Sequence, residues 1–96
     1  MFEEILKELR LNRGLNQVQL AEELFVTKQT VSNWENGYLM PSVDLLMRIA
    51  KYFSVSTDYL LGLDDRRYLE TTGLTDKQIT HIQMIIYDIL GDKGEK

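Results

Sequence analysis

Ninety-six residues, 44% of them hydrophobic and 27% charged, leave room for one small core and at most one appended element. No cysteine and a single histidine exclude a disulfide framework and a Cys/His zinc site, and suit a reducing compartment, with the cytoplasm expected. The net charge of −4 argues against nucleic acid as a partner, because proteins that bind it are usually basic.

The N-terminus, Phe2-Glu3-Glu4-Ile5-Leu6, mixes acids with apolar residues and lacks the basic start and apolar core of a leader. No run approaches the ~18 apolar residues of a membrane span, so neither export nor membrane insertion is expected. In the first predicted helix Phe2, Ile5, Leu6 and Leu9 fall at i, i+3, i+4 and i+7 on one face, and Gly14 supplies a left-handed stop. Asn16 and Gln19 then form a variant capping box, flanked by Leu15 and Leu20 as a hydrophobic staple, which starts a second helix over residues 17–24. Thr27 caps a third helix of about nine residues, stapled by Val26 and Val31 and stopped by Gly37.

After the turn at residues 37–41, Ser42 caps a fourth helix whose Leu45, Leu46, Ile49, Ala50 and Phe53 share one apolar face. Ser56 caps a short fifth turn over residues 57–61, and Gly62 closes the unit. Residues 63–74 carry Asp64, Asp65, Arg66, Arg67 and two threonines with weak periodicity, which predicts a linker. Thr75 and Gln78 form another capping box ahead of a helix over residues 75–90, leaving residues 91–96 as a disordered tail. Its Ile79, Ile82, Ile85, Ile86, Ile89 and Leu90 make a stripe too apolar to stay wet. The stripe either folds back on its own chain or pairs with a second copy, as the heptad-like spacing of 79, 82, 86 and 89 permits; because the fifth helix already closes the unit, a homodimer is expected.

The third helix differs from the others. It offers only Val31 and Trp34 to a core, while Lys28, Gln29, Ser32, Asn33 and Asn36 present amide, hydroxyl and ammonium groups, the donors and acceptors that base edges and phosphates require. On this feature alone a polar helix that merely faces solvent stays equally open. No Gly-rich phosphate loop, no cysteine and no partnered carboxylate pair supports an enzyme, a cofactor or a metal site, and His81 reads as a solvated surface residue.

The residues Gly14-Leu15-Asn16-Gln17, Leu20-Ala21, Val26-Thr27, Val31-Ser32-Asn33-Trp34-Glu35-Asn36-Gly37 and Pro41-Ser42 resemble the Cro and phage-repressor type helix-turn-helix family of bacterial transcription regulators. The resemblance covers residues 2–62 and fixes residue types at many spaced positions. It implies an all-α fold, a five-helix phage-repressor-like helix-turn-helix domain over residues 1–62, with the C-terminal amphipathic helix appended. It implies binding of double-stranded DNA and transcription control, with repression at an inverted-repeat operator expected. Lys28, Gln29, Thr30, Ser32 and Asn33 match base-reading positions, and of these Lys28, Gln29 and Asn33 have the reach. Asn16, Gln17, Asn36 and Tyr38 match phosphate-contacting positions. Arg10 and Glu35 match an ion pair tying the first helix to the end of the third.

Phe25 departs from the pattern, standing where the family's turn usually has Gly. The charge objection is also localised: six cations oppose eight acids over residues 1–62, but between Gln29 and Tyr38 the only acid is Glu35. Such a neutral face predicts few Lys and Arg phosphate contacts and a shallow salt dependence. The competing reading is a protein-interaction module, such as an antitoxin or an anti-repressor partner, that holds an unidentified protein through its Ile-rich helix.

Overall fold

In a computed structural model, which describes residues 1–67 and 71–94, the chain is all-helical, with no strand among the described residues. The elements are α1 (Phe2–Asn12), α2 (Gln17–Leu24), α3 (Lys28–Glu35), α4 (Val43–Phe53), α5 (Thr57–Leu60) and α6 (Asp76–Gly94).

Caps set most of these boundaries. Asn16 Oδ1 accepts from the Gln19 N–H at 2.7 Å while Gln19 Oε1 accepts from the Asn16 N–H at 2.8 Å, so two of the four orphan donors of α2 are answered reciprocally. Thr27, Ser42 and Ser56 each accept from the N–H three residues on, and Thr75 with Gln78 closes a second box before α6. Two helices end in the left-handed region without glycine: Phe25 (φ 59°) after α2 and Ser54 (φ 56°) after α4. A side chain there costs roughly 1–2 kcal/mol. At Phe25 the conformation lets its N–H reach the carbonyls of Ala21 and Glu22, while Val26 N–H bonds Ala21 O at 2.9 Å; α2 therefore ends in hydrogen bonds even though no glycine is present.

The expected apolar faces meet in one core. Phe2, Leu6 and Leu9 of α1, Leu20, Ala21 and Leu24 of α2, Val31 and Trp34 of α3, Ile49, Ala50 and Phe53 of α4, and Leu60 of α5 are all buried. Helix α3 is held between α1 and α2, α4 backs α2, and α5 joins α4 to α1. Two arginines brace the periphery through carbonyls at helix ends: Arg48 donates to Leu24 O at 2.7 Å and Arg13 to Tyr52 O at 3.1 Å, positions where a cation also suits the helix dipole. The Arg13 guanidinium lies 5.1 Å from the Tyr52 ring centre, within cation–π range.

The expected linker is locally organised as far as it is described. Asp64 accepts both the backbone N–H and the guanidinium of Arg66. That side-chain hydrogen bond holds the Asp64 carboxyl below its ordinary range. Arg67 stacks on Tyr59 with its guanidinium 5.2 Å from the ring centre. Residues 68–70 of the linker lie outside the described residues. Beyond it, α6 runs to Gly94, so residues 91–94 are helical where a disordered tail was expected. Gly91 lowers helix stability by about 1 kcal/mol but does not turn left-handed here, and no proline interrupts the run. Residues 95 and 96 of that tail lie outside the described residues.

Among the described residues, the apolar stripe of α6 is left largely uncovered: Ile85, Ile86, Ile89 and Leu90 are 43–60% exposed, and Ile79 and Ile82 are only half-buried. An open groove of about 800 Å³ runs beside its first turns, lined by Leu74, His81, Ile82 and Met84 among others. No helix among the described residues is long and apolar enough to cross a membrane.

Candidate nucleic-acid interface

Helix α3 is anchored from below. Trp34 is 2% exposed and Val31 fully buried, so the opposite side of the helix is forced outward. Lys28 and Gln29 are exposed at its N-terminal end; Thr30, Ser32 and Asn33 are half-buried along the same helix. Gln29 Nε2 donates to Asn33 Oδ1 at 3.0 Å, an i,i+4 pair that fixes two long amides side by side before anything binds. Asn36 Nδ2 donates to Ser32 Oγ at 3.3 Å. Thr30 has a different employment: its hydroxyl shares a hydrogen bond with Thr27 Oγ1 at 2.9 Å, next to the cap of α3. Lys28 has no carboxylate partner among the described residues.

Below this face lies the expected ion pair, in a bidentate form. Arg10 Nε and Nη2 donate to Glu35 Oε2 and Oε1 at 2.6 and 3.0 Å, with side chains only 8% and 3% exposed. Arg10 Nη1 also donates to Leu15 O at 2.8 Å. The geometry ties α1, the α1–α2 loop and α3 together, and the fork of a guanidinium suits it where a lysine would not. No buried side-chain polar atom is left without a partner among the described residues.

Gln17 enters the same network, donating from Nε2 to Glu35 Oε1 at 3.1 Å. The family pattern marks Gln17 as a phosphate residue alone and does not give this tie, because Glu35 lies 18 residues further along the chain and no local spacing joins the two. One amide hydrogen of Gln17 remains available. So do the backbone N–H groups of Gln17 and Val18, which the capping box leaves unanswered at the N-terminus of α2. Asn16, Asn36 and Tyr38 are exposed around this rim. Gly37 (φ 76°) turns the chain so that the Tyr38 N–H bonds Asn33 O at 2.9 Å, which holds the loop after α3 against the helix.

A short polar helix seated on a buried tryptophan, preceded by a capped helix across a three-residue turn and backed by two further helices, defines a helix-turn-helix unit of the phage-repressor type. A family model described as helix-turn-helix matches residues 6–60, and the chain belongs to that family. It is 38% identical over 89 residues to the HTH-type transcriptional activator BcrR of Enterococcus faecalis, covering 93% of this chain and 43% of that protein. It is 39% identical over 74 residues to the HTH-type transcriptional regulator ImmR of Bacillus subtilis (strain 168), covering 77% of this chain and 58% of that protein. The chain thus spans about half the length of these relatives. Among solved structures it is similar to the P22 c2 repressor in complex with a synthetic operator, with TM-score 0.63 and 26% identity over 67% of this chain and 97% of that one.

Proposed function

We propose that this chain is a sequence-specific DNA-binding transcriptional regulator that represses by occupying an inverted-repeat operator as a homodimer. The observation that carries the reading is the Gln29–Asn33 amide pair on the outer side of a helix locked by Trp34 and the Arg10–Glu35 pair. Paired amides can hold adenine N6 and N7 with two bonds, and Lys28 can reach guanine O6 or N7, each worth about 1–3 kcal/mol of discrimination. Asn16, Gln17, Asn36 and Tyr38, together with the free N–H groups of α2, position the domain on phosphates. The P22 c2 repressor, with which this fold compares, was solved on an operator. BcrR is an activator, so the sign of control is tested separately, by a promoter reporter that repression should silence.

Homodimerisation rests on α6. Its isoleucines, about half exposed, gain roughly 1 kcal/mol each on full burial, and their heptad-like spacing suits a second α6. Two domains held this way would favour half-site centres about one helical turn apart. The same exposed stripe favours a second reading, in which α6 holds a different protein; a monomeric chain that selects no duplex would put that reading first.

The decisive experiment is selection of bound sequences from random duplex, followed by the variants Gln29→Ala and Asn33→Ala. Each should relax preference at one or two symmetric positions while leaving the melting temperature unchanged. A selected sequence untouched by both variants would remove α3 as the reading element.

A further inference from the structure

Phe25 is an unfavourable choice for the turn that it opens, on two counts. Its backbone holds φ 59° and ψ 43°, a region that resists a side chain, and its ring is 85% exposed, so no packing against the core offsets that strain. The fold needs a left-handed residue here to end α2, but glycine or asparagine would meet the need with less strain and no wetted ring. A phenyl group adds nothing to the free domain.

Its place in the fold gives it a use. Phe25 opens the turn whose next residue, Val26, packs against the core, while Thr27, Lys28 and Gln29 follow as an exposed run at the start of α3. Three residues of chain span at most about 11 Å, and the major groove is about 12 Å wide. With Lys28 and Gln29 at base edges, the ring lies within reach of the groove wall. We infer that Phe25 is a DNA-contacting residue whose ring packs on an apolar edge of the duplex, a deoxyribose face or a thymine methyl, at the flank of each half-site. This inference rests on the DNA-binding reading above. The ring loses its water only when the duplex is bound, so the residue trades free-domain stability for affinity.

Two variants test it against the duplex selected by the native chain: Phe25→Gly and Phe25→Asn, both of which accept the left-handed backbone. The expected result is an unchanged or higher melting temperature with affinity lowered about five- to tenfold, the loss of one buried apolar contact; Phe25→Tyr, which keeps the ring, should retain native affinity. Replacing each thymine by deoxyuridine then separates the two edges. A methyl dependence present in the native chain and absent in Phe25→Gly assigns the thymine methyl, whereas affinity indifferent to the methyl assigns the sugar. Glycine and asparagine variants that fold and bind as tightly as the native chain overturn the inference while the DNA reading stands. A native chain that selects no duplex overturns both.

Discussion

Trp34 and the Arg10–Glu35 pair decide which side of α3 faces outward, because Trp34 is buried in the core and the ion pair ties α3 to α1 and the α1–α2 loop. Trp34→Ala should lower stability by roughly 3–5 kcal/mol, measured by urea or thermal unfolding, since a large side chain buried to 2% leaves a cavity. A variant that kept its melting temperature and lost only DNA would contradict that anchoring role. Removing one member of the ion pair strands a buried charge, so Arg10→Ala or Glu35→Ala should cost about 3–5 kcal/mol. The double variant should be less damaging than the sum, and a double-mutant cycle without coupling would mean the bidentate geometry contributes little. Gln17→Ala is expected to do two things at once, because its amide serves Glu35 as well as the phosphate contact proposed for it. It should weaken binding to all sequences alike and also lower the melting point slightly.

At the scale of elements, α2 and α6 are each started by a reciprocal capping box, and their roles diverge from there. Asn16→Ala should cost about 1 kcal/mol through the cap and weaken DNA binding without changing the preferred sequence, a split that selection and thermal unfolding can read separately. In the segment before α6, Arg66 holds the Asp64 carboxyl below its ordinary value, so this turn's contribution is complete above about pH 4 and fades as pH falls through the lowered value. The Arg66 amide resonance, followed by NMR down through acid, should move with that titration. A shift centred at the ordinary carboxylate value would show that the contact does not persist in solution.

For the molecule as a whole, the net charge of −4 and the exposed stripe on α6 set the behaviour to be measured. Between Gln17 and Tyr38 the only cation is Lys28, so affinity should fall with salt at a slope of only about −1 to −2 per protomer; a much steeper slope would mean that cations outside this segment carry the binding. The full chain should sediment as a dimer at tens of micromolar, and residues 1–73, which contain the whole buried core, should be a folded monomer with weaker operator binding. If the full chain is a monomer, α6 does not pair with itself and another protein becomes its expected partner.

Periodicity and caps were enough to read the helices, because apolar spacing and Ser, Thr and Asn caps act within a few residues of chain. The family pattern was equally legible, since Val31, Trp34, Glu35 and Gly37 stand at fixed spacings. Contacts between distant residues were not legible in the same way. That Gln17 serves Glu35 and that the Phe25 ring is left in water follow from how α1, α2 and α3 cross, and only packing decides that crossing. The reach of α6 to Gly94 was likewise undecided by sequence, because one glycine weakens a helix without ending it. Local rules determined the elements and the class of protein; the tertiary structure decided which polar groups are committed to the fold and which are left for a partner.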